Sequence, residues 1–219
     1  MDVKELVRAF NGYSIAIVSD DAYGAVLFVS YLTSAMCLER EDVIFVVYGE
    51  STCNRLQKIT DSLRENNYCV NEFLRDVRVI KIGKTPEISF GKPVAFVEDN
   101  GVQNVAAEVG RIIKNRFNGS TVFFFGFNVG MHVYNAPEIV RALEELFSWV
   151  DSTMYFVISS TTSLDLIANV FDIVVRISRI ESFGMRPGNV YNVYVEHSII
   201  EGVQQIPLYR LDEFNVVEF

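Results

Sequence analysis

Acidic side chains follow three of the apolar segments that the sequence pattern predicts as β-strands. Asp20 and Asp21 come after the first segment, Glu50 after the second, and Glu98 with Asp99 after the fourth. Because ligands of parallel α/β sheets bind beyond the carboxyl ends of the strands, these five carboxylates could gather at one edge. Oxygen ligands suit Mg²⁺ or Mn²⁺ and metal-assisted phosphoester hydrolysis. Acids also begin helices routinely, because a helix N-terminus favours negative charge, so helix capping is the competing interpretation.

The cysteines and histidines predict no metal centre. Cys37, Cys53 and Cys69 are sixteen residues apart with no C-x-x-C pair, and the chain has two histidines. Structural zinc requires closely spaced ligand pairs. His132 falls in a predicted loop past an aromatic strand, which is a credible site position, but a lone loop histidine is more often an exposed or hydrogen-bonded side chain.

Composition limits the classes of protein to consider. Of the 219 residues, 50% are hydrophobic and 21% are charged, which indicates a folded chain, and we predict a single domain over residues 1–219. The net charge of −9 and the dispersed basic residues make nucleic acid an unlikely partner class. Apolar runs are too short for a membrane span, and the start, Met1–Glu5, carries acid, so we expect a cytoplasmic protein with no membrane partner.

Short β-rich segments alternate with longer helical ones along most of the chain. This alternation predicts a three-layer α/β/α fold with a mainly parallel sheet. Val77–Gly83 alternates apolar and polar residues and is predicted to be a more exposed strand. The last forty or so residues read as strands without intervening helices, which predicts an antiparallel edge. The predicted core holds ten residues: Ile15, Ile17, Ile44, Phe45, Val47, Val122, Phe124, Tyr155, Phe156 and Ile158.

The order of these elements, with the segments IAIVSDDAYGAVLF, VIFVVYGES and TVFFFGF, resembles the RecA-like ATPase core in its archaeal KaiC-like version. The resemblance runs from about residue 5 to about residue 211. In that family the first strand ends in a phosphate-binding loop, G-x-x-x-x-G-K-[ST]. The second strand ends in a glutamate that polarises water, and a later strand ends in an aspartate that holds Mg²⁺. The resemblance therefore implies a P-loop type of fold.

The phosphate loop departs from the family pattern at its chemical positions. Ser19 stands at the first glycine and Gly24 matches the second, but Ala25 stands at the lysine and Val26 at the Ser/Thr. The lysine neutralises phosphate charge and the hydroxyl ligates Mg²⁺. Alanine and valine can do neither.

The remaining family positions are also mostly unfilled. Asp20 and Asp21 lie within the loop, where each would repel a phosphate by about 4 kcal/mol at 4 Å and an effective dielectric of 20. The Mg²⁺-binding aspartate position falls on Gly126 or Phe127, while Glu50 fills the glutamate position. A second G-K-T sequence, at residues 83–85, follows a strand without a glycine-rich loop and is interpreted as a coincidence.

These departures predict a non-catalytic RecA/KaiC-like domain that acts as a protein-interaction or regulatory module, without ATP hydrolysis and without a cofactor. The alternative is a divalent-metal-dependent phosphoester hydrolase that uses the strand-end carboxylates. A further alternative is a weak nucleotide or nucleic-acid binder.

The C-terminal end predicts a protein–protein contact. Residues 212–219 carry four apolar side chains, Phe214, Val216, Val217 and Phe219, in a segment that would otherwise be expected to be polar. Their β propensity suits strand addition at an exposed sheet edge, with another protein, a peptide or a second copy of this chain as the partner. The alternative is that the segment folds back as a final strand of its own sheet.

Overall fold

A computed structural model describes residues 3–38, 42–64, 76–126, 135–159, 167–180, 190–200, 209–211 and 216–218. The strands are β1 Ser14–Ser19, β2 Val43–Tyr48, β3 Arg78–Gly83, β4 Lys92–Glu98, β5 Thr121–Phe125, β6 Met154–Ser159, β7 Ile173–Arg179, β8 Tyr191–Ser198, β9 Tyr209–Leu211 and β10 Val216–Glu218. The helices are α1 Val3–Ala9, α2 Ala22–Leu38, α3 Glu50–Arg64, α4 Val102–Arg116 and α5 Ala136–Trp149, and a short 3-10 turn spans Ala168–Val170.

The described strands form one ten-stranded sheet in the order β10-β9-β8-β7-β1-β6-β5-β2-β3-β4. Neighbours from β7 to β4 pair in parallel, whereas β8, β9 and β10 add in antiparallel fashion at one edge. The predicted three-layer α/β/α fold with an antiparallel C-terminal edge is therefore confirmed.

Alternation along the central strands divides the core between the two faces of the sheet. Ile15 and Ile17 of β1 pack on the face covered by α1, α2 and α3, whereas Ala16 and Val18 pack on the face covered by α4 and α5. A parallel strand covered by helices on both faces must be apolar on both, which explains the continuous apolar runs. All ten residues of the predicted core are buried.

The prediction of an exposed β3 is wrong. Five of its six residues are buried, because β3 lies between β2 and β4 and is covered on both faces. Lys81 misleads the pattern: its side chain is only 2% exposed. Its ammonium group donates hydrogen bonds to the Glu87 carbonyl and to Thr85 Oγ1. These partners let a lysine occupy a core position.

The helix starts depend on contacts that the apolar pattern does not show. Helix α1 is not predicted by the sequence pattern, yet Leu6 and Val7 place it in the core. The sequence pattern predicts a helix over Pro137–Val150, with proline in its first turn. The corresponding helix α5 begins at Ala136, because Asn135 and Glu138 form a reciprocal capping box. The sequence pattern also predicts a short helix over residues 163–170, and residues 163–166 of it lie outside the described residues. None of the described helices combines the length and the apolar character needed to cross a bilayer.

Candidate functional site

The loop after β1 is stabilised by a hydrogen bond to one of its own carboxylates, that of Asp21. Asp21 precedes the first residue of α2, and its Oδ1 accepts a hydrogen bond from Gly24 N at 2.7 Å. This is N-capping, which satisfies one of the free N–H groups at a helix start. Ser19 Oγ donates to Asp21 O at 2.8 Å and fixes the turn from the strand side. A helix N-terminus also favours a bound phosphate, and here the Asp21 carboxylate takes the N–H group that such an anion would use.

Tyr191, on the antiparallel strand β8, donates a hydrogen bond to the Asp21 carboxylate. Tyr191 is 1% exposed, and its hydroxyl lies 3.1 Å from Asp21 Oδ1 and 3.0 Å from Oδ2. An antiparallel strand starts at the edge where its parallel neighbours end, so the first residue of β8 lies beside Arg179, at the carboxyl end of β7. This topology carries Tyr191 to the loop.

The ring of Tyr191 packs directly on the first turn of α2. A Cβ atom built on Gly24 would lie 2.6 Å from the Tyr191 ring, closer than real Cβ contacts allow. Burial raises the pKa of the Tyr191 phenol well above its ordinary value of 10, and the charge of Asp21 and the hydrogen bond to it add to the shift. The phenol therefore remains a hydrogen-bond donor to Asp21 at neutral pH.

The two positions to which the resemblance assigns phosphate chemistry, Ala25 and Val26, are packed against the rest of the protein. Ala25 is 2% exposed and Val26 is 5% exposed, and Val26 belongs to the core beneath α2. Asp20, at the start of the loop, accepts a hydrogen bond from Arg179 N at 3.3 Å. The loop therefore offers a phosphate no lysine and no hydroxyl at these positions.

The strand end to which the resemblance assigns a magnesium-binding aspartate has no room for a side chain. Gly126, directly after β5, has a φ of 79°, a left-handed conformation that favours glycine. A Cβ there would lie 2.5 Å from Tyr48 O and 2.6 Å from Thr52 Oγ1. Because α3 approaches this closely, an aspartate at Gly126 would clash. Phe127, the other candidate, lies outside the described residues.

Glu50 is directed away from the β1 loop. It is the first residue of α3, and its Oε1 accepts hydrogen bonds from the backbone N–H groups of Lys84 (3.2 Å) and Thr85 (3.4 Å). Lys81 Nζ lies 3.5 Å from the same oxygen. The G-K-T turn thus binds a carboxylate of its own chain. Hydrogen bonding from its own amide lowers the pKa of Glu50, supported by the Lys84 amide and the charge of Lys81 and opposed by partial desolvation.

This lowered pKa predicts a pH-dependent contribution to stability. Because the pKa is lower in the folded state, the stabilisation is present above the unfolded pKa of about 4.3 and is lost as pH falls through the folded pKa. The side chain is 47% exposed, so we expect Glu50→Gln to cost at most about 1 kcal/mol at pH 7. The cost should shrink below about pH 4.

Urea unfolding of the wild type and Glu50→Gln at neutral and acid pH measures this difference. Glu108→Gln is the matched control, because Glu108 pairs with Arg111 at the surface at 3.8 Å. An equal wild-type-to-variant difference at both pH values would contradict the prediction.

The structure does not bring the five strand-end acids together. Asp20 and Asp21 follow β1, whereas Glu98 and Asp99 lie at the end of β4, five strands away and therefore roughly 24 Å distant. Glu50 is three strands from β1 and faces β3. Asp99 instead accepts a 2.6 Å hydrogen bond from Tyr48. No group of three or more potential metal ligands occurs among the residues that the structure describes.

A cavity of about 180 Å³ lies beside the β1 loop, between α2, α3 and the sheet. Its polar lining includes Ser19, Asp21, Thr52, Arg55 and Ser159. Its apolar lining includes Val26, Leu56, Ile59, Phe125 and Val157.

Two residues of this region could not be found from the sequence. Tyr191 contacts Asp21 across 170 positions, and no local pattern indicates that contact. Arg55 looks like an ordinary exposed helix residue until the strand order places it beside the loop. His132, Phe214 and Phe219 lie outside the described residues. Val216 and Val217 form part of β10, which pairs with β9 of the same sheet. This pairing agrees with the alternative prediction, in which the C-terminal segment folds back as a final strand.

Comparison with known proteins shows a relationship of fold. No model of a known protein family matches the chain, and no curated protein matches it. Among solved structures, the chain is similar to a structural-study target of Pyrococcus horikoshii OT3, Project ID PH0250, with a TM-score of 0.66 and 13% sequence identity. The match covers 93% of this chain and 95% of that one. At this identity it supports the α/β architecture and nothing finer.

Proposed function

We propose that the protein is a non-catalytic RecA/KaiC-like domain that acts as a protein-interaction or regulatory module and does not hydrolyse ATP. The observation that carries this proposal is the Asp21 carboxylate. It takes the Gly24 N–H and the Tyr191 hydroxyl, and so occupies the position where the β1 loop would bind a phosphate.

Electrostatics favour this reading. A triphosphate at the loop would meet Asp20 and Asp21, at a cost of about 4 kcal/mol for each contact near 4 Å. A backbone hydrogen bond to a charged phosphate returns about 1.5–3 kcal/mol, which is less than the cost of one such contact. Displacing Asp21 would also break its cap and its bond to Tyr191. The arrangement therefore disfavours nucleotide phosphates, and the separation of the acids disfavours the metal-dependent hydrolase.

The edge strand β10 supports the interaction part of the proposal. Within the described sheet it is the terminal strand, paired with β9 on one side. The opposite edge, β4, begins with Lys92 and Pro93 and has a register irregularity against β3, features that discourage strand addition. The sequence of β10, Val216–Glu218, has neither lysine nor proline. We propose that β10 receives a strand from a second copy of the chain.

Deleting residues 212–219 tests this self-association. Because the segment provides the last strand of the sheet, we expect the shortened chain to remain folded by circular dichroism and to change from dimer to monomer in light scattering. A full-length chain that is already monomeric at micromolar concentration, or a truncated chain that remains dimeric, would contradict the proposal. Unfolding of the truncated chain would also contradict it, since the segment would then serve the fold alone.

A further inference from the structure

The cavity beside the β1 loop carries opposite charges on different elements. Asp21 directly precedes α2, and its carboxylate accepts hydrogen bonds from Gly24 N and the Tyr191 hydroxyl, while the positive charge of Arg179 acts on that hydroxyl from β7. Arg55 lies on α3, is exposed, and has no ion-pair partner in the part of the chain that the structure describes. The acid and the base both line the cavity.

The helix ends give the two walls different preferences. Ser51, Thr52 and Arg55 line the cavity from the first two turns of α3. The carboxylate of Glu50, the first residue of this helix, is bound to the Lys84 and Thr85 amides instead, so the Arg55 guanidinium makes this wall favour a negative ligand group. At the start of α2 the full charge of Asp21 exceeds the half-charge of the helix end, so this wall favours a positive group. A ligand that satisfies both walls carries an anion toward α3 and a cation toward Asp21.

The floor and the volume limit the rest of the ligand. The floor is apolar, with Val26, Leu56 and Val157 among its residues. An apolar cavity of about 150 Å³ holds benzene, so about 180 Å³ has room for an isobutyl group. Aliphatic side chain, ammonium and carboxylate together describe an α-amino acid.

We propose that this cavity binds a small zwitterion, an aliphatic α-amino acid of the size of leucine, with its carboxylate at Arg55 and its ammonium at Asp21. This site goes beyond the proposed function, because it assigns a small regulatory ligand to the cavity beside the β1 loop. Binding involves no covalent step.

Calorimetric titration of the full chain with L-leucine tests the site. We expect a dissociation constant below about 1 mM. Two analogues carry one charge each: 4-methylpentanoate has the carboxylate alone and 3-methylbutylamine the ammonium alone. Each should bind at least about tenfold more weakly, since each leaves one charged wall unpaired. Equal binding of either analogue, or no binding of leucine at about 10 mM, would overturn the proposal.

Three variants locate the binding. Arg55→Gln and Asp21→Asn should each weaken leucine binding at least about tenfold, and asparagine keeps the N-cap of α2 so that the fold is retained. Arg141→Gln is the matched control, an exposed arginine on α5 across the sheet, and should leave binding unchanged. Unaltered affinity in Arg55→Gln would refute the assignment. Failure here is distinct from failure of the proposed function, which is decided by titration with Mg-ATP.

Discussion

Replacing Tyr191 by alanine should lower the free energy of unfolding by about 3–5 kcal/mol. The ring is 1% exposed and packs on the start of α2, and its hydroxyl supports the Asp21 carboxylate. Tyr191→Phe keeps the ring and loses the hydroxyl, so it should cost less, about 1.5–3 kcal/mol for a hydrogen bond to a charged group. Urea unfolding followed by circular dichroism measures both values.

A second substitution shows whether the contact with Gly24 is responsible. In the wild type, Gly24→Ala should destabilise by about 1–3 kcal/mol, because its Cβ would overlap the Tyr191 ring. In the Tyr191→Ala background the same change should be neutral, or should stabilise by up to about 1 kcal/mol through helix propensity. If Gly24→Ala has the same effect in both backgrounds, the ring does not pack as described.

Replacing Gly126 by alanine should cost about 2–5 kcal/mol. Alanine in the left-handed conformation costs about 1–2 kcal/mol. Overlap of its Cβ with Tyr48 O and Thr52 Oγ1 adds about 1–3 kcal/mol. The change puts a side chain at the end of β5, where the family pattern would place its aspartate.

Gly119 provides the control for this prediction. It has the same φ of 79°, but a Cβ there would meet nothing within 4 Å. Gly119→Ala should therefore show the backbone cost alone, about 1–2 kcal/mol. Chemical unfolding of both variants separates the contact from the conformation. Equal losses would mean that α3 does not approach Gly126 as closely as the structure shows.

The sequence predicts the layers of this fold well because buried parallel strands must be apolar on both faces. Phe45, Phe124 and Phe156 are recognisable as core residues from their own segments. The prediction fails at β3 because Lys81 is buried through hydrogen bonds to a loop, and the hydrophobic pattern of the strand does not reveal such partners.

The candidate site is less predictable because strand order does not follow chain order. Asp21 and Glu98 both follow strands, and the sequence alone allows them to be neighbours. The order β1-β6-β5-β2-β3-β4 separates them instead. On the other side of β1, the order β8-β7-β1 brings Tyr191 to Asp21. Arg55 lines the cavity beside the same loop, and local sequence patterns indicate neither placement.

Calorimetric titration of the full-length protein with Mg-ATP tests the central claim most directly. With Asp21 holding the Gly24 N–H and the Tyr191 hydroxyl, and with Ala25 and Val26 buried, we predict no saturable binding below about 1 mM. A dissociation constant in the micromolar range would contradict the account, because it would require the β1 loop to accept a phosphate in place of its own carboxylate.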